Sequence, residues 1–405
     1  MSLDLEIGGR ISDYNTTGTS YTYKLLADWQ VTDWLRLRGG YNRAERAPNT
    51  AELYLAPEQT FAVAPGGDVC SRANQLPYSA NPGANPNAAQ VEALCRTLME
   101  RSGNPNADEQ FYDNTVQPAG PEFVFPTLSG NAELKPEKAD TWTLGAVIDS
   151  PFRSAALSRM RLSIDYYNIK VKDAIGAQSV DIAQRQCFDA AFNPNYDADS
   201  PFCAGIGRNP VGTLGNVITT FLNNGRFQTS GLDIQLDWAV DAGPGTITLN
   251  SVFNYLIDMK SSELPNLPAV DYVGTLGPSN NGLNGGAYEW KLFTTLGYNI
   301  GPASIALQWQ HLPSVDDESA ASNPNTTITG APSYDLFNLN GSYAITDKAS
   351  IRFGVDNLFN KEPPLTGVNT NPTLGNLAGG TYTPNNVGYY DLIGRRFYVG
   401  ANFKF

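Results

Sequence analysis

Cysteine and histidine are the residue types that most often bind metals or act in catalysis, and the chain has few of them. The 405 residues include one histidine, His311, and 4 cysteines, which are Cys70, Cys95, Cys187 and Cys203. The cysteines fall into two pairs that are each close in sequence, and neither pair has the Cys-x-x-Cys spacing of a zinc site. Two local disulfides fit this pattern better and indicate an oxidising compartment outside the cytoplasm. Four reduced, buried cysteines are the alternative.

Enzymatic chemistry has little support in the remaining residues. A hydrolytic site would have to use His311, which follows Trp309 on the apolar phase of a strand, a poor position for a general base. The Gly-x-Ser-x-Gly signature of a nucleophile elbow is absent from the sequence. The acidic clusters at 195–200 and 314–319 lack the pattern of an EF-hand calcium loop. We therefore predict no enzyme activity, no metal site and no cofactor.

The formal net charge of −13 argues against a nucleic-acid partner, because a phosphate backbone would be repelled. Only 41% of the residues are hydrophobic, and no run of eighteen apolar residues is present to form a transmembrane helix. Aromatic residues make up 11%, with 38 glycines and 27 prolines. This composition is typical of a protein with many strands and many turns.

Apolar and polar residues alternate at period two in about twelve segments, which is the signature of half-buried strands. The segment at 232–240 places Leu232, Ile234 and Trp238 on one face and Asp233 and Asp237 on the other. The chain also ends on such a segment. Its apolar face carries the residues that we interpret as an assembly signal, namely Phe397, Val399, Phe403 and Phe405.

The connections between these strands are alternately short and long. Short connections lie at 31–33, 241–245, 299–303 and 346–348, whereas long ones lie at about 44–137, 173–225, 259–285, 313–332 and 360–389. A soluble β-sandwich usually has short connections at both ends. An outer-membrane barrel has short periplasmic turns and long extracellular loops. We therefore predict an all-β fold, a transmembrane antiparallel meander barrel, with an apolar face toward lipid and a polar face toward a wet lumen.

Two short helices are expected inside the long loops. The first covers 87–103, where Asn87 and Gln90 fit a capping box and Gly103 a helix stop. The second covers 179–192. Each helix carries one cysteine of a pair, so the helices are pinned to their own loops. This indicates either a rigid cap that faces a ligand or cross-links that resist proteolysis.

Five segments, in order along the chain, resemble the TonB-dependent receptors of Gram-negative outer membranes. They are RAERAPNTAELY (43–54), NAELKPEKADTWTLG (131–145, with Ala132 where the family has proline), LSIDYYNIKVKDAI (162–175), FGVDNLFNKEPP (353–364) and the closing strand GRRFYVGANFKF (394–405). The resemblance implies a 22-stranded barrel around an amino-terminal plug that receives energy from TonB. Residues 1–405 are then similar to the carboxyl-terminal part of the barrel only, and we expect the plug, the TonB box and the signal peptide to lie outside this sequence.

The resemblance implies a function in ligand uptake across the cell outer membrane. Expected ligands are a siderophore, cobalamin or an oligosaccharide, and expected partners are outer-membrane lipid, the TonB complex through the missing plug, and the outer-membrane assembly machinery. A stand-alone small pore or a secretion-type barrel is the alternative. Because twelve strands leave unpaired edges in hydrocarbon, we also expect an open sheet or a gap between the first and last strands. Aromatic loop residues are the candidate ligand contacts, namely Tyr78, Phe111, Tyr112, Tyr196 and Tyr272.

Overall fold

The fold was analysed in a computed structural model that describes residues 1–64, 66–114, 116–117, 120–262, 264, 266–280, 283–367 and 389–404. Phe405, one of the predicted assembly residues, lies outside the described residues. So does most of the predicted loop at 360–389.

Twelve long strands of the described residues form one antiparallel meander, in which each strand pairs with its neighbours in sequence. They are β1 (Ser2–Tyr14), β2 (Gly18–Thr32), β3 (Leu35–Arg46), β4 (Glu137–Asp149), β5 (Arg159–Ala177), β6 (Leu214–Ala242), β7 (Gly245–Ser262), β8 (Trp290–Ile300), β9 (Ala303–Leu312), β10 (Tyr334–Thr346), β11 (Ala349–Asp356) and β12 (Arg396–Phe403). The order has β1 at one end and β12 at the other. The all-β meander is as predicted, and the expected gap between its two end strands stays a prediction.

The connections separate the two ends of the sheet. At one end, which we call the turn end, they cover 33–34, 150–158, 243–244, 301–302 and 347–348. At the opposite, loop end they cover 15–17, 47–136, 178–213, 263–289, 313–333 and 357–395. The alternation predicted from the sequence is therefore confirmed, except that the connection between β1 and β2 at the loop end is short.

One face of the sheet is apolar and exposed, as a lipid-facing surface must be. On β1 the side chains of Leu5 and Ile7 are 63% and 80% exposed, and on β12 the side chains of Phe397 and Val399 are 75% and 80% exposed. Leu5 lies opposite Ala27, and Phe397 lies opposite Val355, so the apolar phase continues from strand to strand. Phe403 is also exposed on this face. These three β12 residues thus form an apolar edge, and their role in assembly stays a prediction.

The opposite face carries ion pairs between neighbouring strands. Lys24 pairs with Glu6, and Arg36 binds both oxygens of Asp28. A face of this polarity fits contact with water, not with hydrocarbon. The polar and apolar phases predicted from period two are therefore those of the structure.

Four α-helices occur in the described residues, where the sequence predicted two. They are α1 (Thr50–Tyr54), α2 (Ala88–Glu100), α3 (Ala107–Asn114) and α4 (Val180–Phe188). The capping box predicted at Asn87 is wrong, because Asn87 is the N-cap of α2 but its side chain makes no capping hydrogen bond. Asn49 and Glu52 form a complete capping box at α1. None of the helices in the described part of the chain is long and apolar enough to cross a membrane.

Candidate functional site

The segments 47–136 and 178–213 fold together at the loop end, and we call their described residues the cap. The cap is built on β6, whose outer part continues past the other strands. Short strands extend this scaffold, namely Glu58–Gln59, Ala62–Ala64, Glu122–Val124, Thr127–Ser129 and Ile206–Arg208. Thr127–Ser129 pairs in parallel with β6, and Ile206–Arg208 pairs with it in antiparallel fashion. The sequence predicted a loop up to 225, but the strand already begins at Leu214, because 214–220 pairs with these short strands of the cap.

Disulfides Cys70–Cys95 and Cys187–Cys203 cross-link the cap, in the local pairing that the sequence favours. All four cysteines are buried. They belong to one apolar core that helices α2, α3 and α4 share with β6. The two cross-links therefore stabilise a single body and not two separate loops.

An ion pair between Asp68 and Arg208 lies at the centre of this core. Both side chains are completely buried, and Nη1 of Arg208 lies 2.6 Å from Oδ2 of Asp68. Asp68 also accepts a hydrogen bond from the backbone N–H of Cys70. Nε of Arg208 has no hydrogen-bond partner in the described part of the chain. A buried pair of this kind is costly to break, because the remaining partner keeps an uncompensated charge.

Tyr112 connects the core to a cationic edge of the cap. Its hydroxyl donates to the carbonyl oxygen of Cys70 at 3.0 Å, and the guanidinium groups of Arg72 and Arg96 lie 4.6 and 4.5 Å from its ring centroid. Burial raises the pKa of the Tyr112 hydroxyl. Both arginines also bind Glu92, and the hydrogen bond from Arg72 is the main reason why the pKa of that carboxyl is lowered.

The predicted ligand contacts are distributed over the interior and the surface. Phe111 is completely buried, and Tyr78 and Tyr112 are buried with it in the cap core. Tyr196 is half-buried and packs against that core, whereas Tyr272 lies outside the cap and its backbone N–H donates to the carbonyl oxygen of Met259. The structure therefore does not bring the five together, and their role in ligand binding stays a prediction.

Three exposed phenylalanines form an aromatic cluster on the cap that the sequence analysis missed. Phe61, Phe123 and Phe125 are 62%, 73% and 55% exposed. The ring of Phe61 is stacked on that of Phe123 at 5.4 Å between centroids and meets the ring of Phe125 edge-on at 5.6 Å. We call these residues the Phe platform. The alternation in EFVFP (122–126) could have shown that Phe123 and Phe125 share a face, but nothing local adds Phe61.

Glu122 lies beside the Phe platform on the inward phase of its strand. The pKa of its carboxyl is raised to about 7, chiefly by burial and also by the nearby carboxylate of Asp68, while Arg208 offsets part of the rise. The charge on Glu122 is therefore sensitive to pH near neutrality.

The negative charge of the protein is concentrated at the loop end. The loop-end connections contain 22 of the 40 Asp and Glu residues and 8 of the 27 Lys and Arg residues, so their formal charge is 8 − 22 = −14. The strands and turns hold the other 18 acidic and 19 basic residues and are nearly neutral. The loop end therefore attracts cations and repels anions.

Tyrosines dominate a second, smaller core at the loop end. The hydroxyl of Tyr288 donates to that of Tyr390 at 2.7 Å, and the rings of Tyr334 and Tyr390 meet edge-on. Both Tyr288 and Tyr334 are buried. This cluster holds Tyr390 against Tyr288 and against Tyr334 of β10, which is a structural role.

His311 is engaged on the lipid-facing side near the loop end of β9. Its Nδ1 lies 2.8 Å from Oδ1 of Asp335, and its ring is stacked on Trp290 at 4.6 Å. Asp335 also accepts a hydrogen bond from Nε1 of Trp309. This aromatic, hydrogen-bonded setting is typical of a membrane interface. In the described part of the chain no group of three or more His, Cys, Asp or Glu residues is placed to hold a metal ion.

Two of the sequence segments noted above meet at the base of the cap. Arg46, from the first, forms ion pairs with Glu52 at 3.0 Å and with Glu137, from the second, at 2.6 Å. The family model described as TonB dependent receptor-like, beta-barrel, matches residues 2–93 and 96–358. The chain belongs to this family. This is a family of outer-membrane receptors and not of enzymes, as predicted.

Solved structures of TonB-dependent receptors have the same fold. The ferric enterobactin receptor from Pseudomonas aeruginosa, in complex with enterobactin, matches with a TM-score of 0.59 and 16% identity, over 99% of this chain and 43% of that chain. The siderophore receptor PirA from Acinetobacter baumannii matches with a TM-score of 0.53 and 16% identity, over 100% and 44%. This TonB-dependent receptor chain thus spans less than half the length of these proteins. No curated protein sequence matches it.

Proposed function

We propose that this chain is the carboxyl-terminal part of the barrel of an active importer, which takes up a scarce nutrient with energy from TonB. The observation that carries the proposal is the family match over most of the chain, together with an ordered cap at the loop end. In this proposal the loop end is extracellular and binds the ligand. TonB acts through a plug encoded elsewhere in the protein, and the apolar edge of β12 is read by the outer-membrane assembly machinery.

A ferric siderophore is the first candidate ligand, because the solved receptors of the same fold are named for siderophores. Cobalamin and an oligosaccharide are the other candidates in the size class that porins exclude. The binding surface is built from loop-end residues, since the strands present an apolar face to lipid and an ion-paired face to the lumen.

The decisive experiment is uptake by cells. A strain that lacks the gene is complemented with the complete coding sequence, and growth and accumulation of radiolabelled ferric siderophores, cobalamin and oligosaccharides are measured with and without TonB. We expect uptake of one ligand, and we expect it to require TonB. Uptake of none of them, with steady ion conductance of the purified protein in planar bilayers, would instead support a passive pore.

His311→Ala is the control for hidden enzyme activity. Because His311 is held by Asp335 and Trp290 at the lipid-facing side, its loss should leave ligand uptake unchanged. A chemical activity that disappears in this variant would contradict the receptor proposal.

A further inference from the structure

The Phe platform places large apolar rings on the surface of the cap, although the cap has an apolar interior. Phe111 and Phe188 of the same cap are completely buried. Phe61, Phe123 and Phe125 are more than half exposed, and the rings of Phe123 and Phe125 both contact that of Phe61. A contiguous exposed apolar patch of this kind is typical of a binding surface.

The platform is held rigid on both sides. The ladder between Ala62–Ala64 and Glu122–Val124 fixes one side, and the ladder between Glu58–Gln59 and Thr127–Ser129 fixes the other. Between them the backbone N–H of Thr60 donates to the carbonyl oxygen of Pro126 at 2.8 Å. Because the rings are already in place, a ligand need not order them, which lowers the entropic cost of binding.

The charges around the Phe platform favour a ligand of one sign of charge. Glu58 lies close to it in sequence, and the loop-end connections have a formal charge of −14. An aromatic face carries partial negative charge and attracts cations within about 6 Å of the ring centroid. An anionic ligand would meet repulsion from the loops and from the faces of the rings. Both effects favour a cation that can also stack on a ring.

We propose that the Phe platform is a binding site for a small, positively charged ligand that carries an aromatic ring. The biological meaning of this site rests on the proposed function. The inference narrows the expected nutrients to those that carry a positive charge and an aromatic ring. A ferric complex of three catecholates, which carries a net charge of −3, is excluded from this site. A cationic aromatic nutrient, or a siderophore complex with a positive charge and a ring, is accepted.

The test compares two dyes of the same ring system, the cation rhodamine 6G and the anion sulforhodamine B. Fluorescence anisotropy is measured with the complete gene product in uncharged detergent. We expect rhodamine 6G to bind to the unchanged protein, and we expect this binding to weaken when salt is raised to about 0.5 M. A Phe61→Leu, Phe123→Leu, Phe125→Leu variant should bind rhodamine 6G about tenfold more weakly than the unchanged protein does. Sulforhodamine B should not bind detectably.

The matched control is a Phe192→Leu, Phe202→Leu variant, which changes another aromatic pair of the cap and should bind rhodamine 6G as the unchanged protein does. Equal binding of rhodamine 6G by the platform variant would overturn the site, provided that circular dichroism and both disulfides show a folded cap. Equal binding of the two dyes would overturn the conclusion that the ligand is a cation. The same holds if the uncharged sugar maltoheptaose displaces rhodamine 6G and its binding depends on the Phe platform.

Cellular uptake separates this inference from the proposed function. Rhodamine 6G binding at the platform without TonB-dependent import of any candidate nutrient would contradict the importer and leave the site intact. TonB-dependent import of a candidate nutrient, with rhodamine 6G bound equally by the platform variant and the unchanged protein, would support the importer and contradict the site.

Discussion

The guanidinium of Arg38 on β3 reaches over Gly145 of β4 and binds the carboxylate of Asp165 on β5. Nε lies 2.8 Å from Oδ1, and Nη2 lies 2.6 Å from Oδ2. A Cβ atom at position 145 would lie only 1.9 Å from Oδ1 of Asp165. Glycine is therefore what allows one ion pair to span three strands on the polar face of the sheet.

Gly145→Ala should break this ion pair. Both partners are about one-third to one-half exposed, so the pair itself contributes only about 1 kcal/mol, and we expect a loss of about that size in the free energy of unfolding. The loss should be much smaller in an Asp165→Ala background, where the clash is gone. Urea unfolding in detergent measures it.

Gly176→Ala is the control on β5, because a Cβ there meets nothing within 4 Å. An equal loss in the two glycine variants would show that the effect of Gly145→Ala comes from glycine replacement in a strand and not from the ion pair.

Arg208→Met should destabilise the cap by about 3–5 kcal/mol, because it leaves the carboxylate of Asp68 buried without its counter-ion. Asp68→Leu combined with Arg208→Met should recover much of the loss, since no charge is then buried. Resistance of the cap to thermolysin, followed by the rate of cleavage within 58–131, measures both. Equal sensitivity of the single and double variants would contradict the role of the pair as a linked unit.

The strands were predictable from the sequence because apolar and polar residues alternate along them, and the apolar residues mark the face that contacts lipid. Val399 and Leu5 alternate with polar residues for the same physical reason, and no distant contact is needed to identify them. The outer part of β6 was missed because 214–222 has no apolar–polar alternation and pairs with Thr127–Ser129, which is distant in sequence.

The interior of the cap was not predictable, since its decisive contacts join residues far apart in sequence. Asp68 and Arg208 are 140 residues apart, and the sequence around either residue does not predict that they form an ion pair. Phe111 was named as a candidate ligand contact because it lies in a polar loop, yet α3 places it in the core beside Tyr112. Phe61 reaches Phe123 only through the pairing of two short strands.

The stability of the cap should fall as pH rises between about 4.5 and 7, and Glu122 is the cause. Its carboxyl has a pKa of about 7 in the folded protein and an ordinary value of 4.5 otherwise, so the folded state binds more protons in this interval. From about one pH unit above this pKa the contribution of Glu122 should be constant. Glu122→Gln should remove this fall, which thermolysin resistance between pH 5 and 8 would detect.

Glu92 provides a control of opposite sign. Its pKa is lowered in the folded protein, chiefly by the hydrogen bond from Arg72, so its stabilising contribution is present at neutral pH and is lost as pH falls through its folded pKa. Glu92→Gln should therefore weaken the cap at pH 7 and have less effect in strong acid. A flat pH profile in the unchanged protein would contradict the assignment to Glu122.

A comparison of alanine variants at Gly212 and Gly103 distinguishes the effect of backbone strain on cap stability from that of steric crowding. Both have a positive φ, +88° and +91°, a conformation that costs an alanine roughly 1 kcal/mol or more. A Cβ at position 212 would lie 2.5 Å from the carbonyl oxygen of Ala107 and 2.5 Å from Cβ of Phe111, whereas one at 103 meets nothing within 4 Å. We therefore expect Gly212→Ala to destabilise the cap by about 1–3 kcal/mol more than Gly103→Ala does.

Hydrogen exchange of the amides in α3 measures this difference, because helix α3 must move away from the new methyl group at position 212. Exchange should accelerate strongly in Gly212→Ala and only slightly in Gly103→Ala. If both variants exchange alike, the strained backbone alone accounts for the loss. The close approach of α3 to the 209–213 turn would then contribute nothing to the stability of the cap.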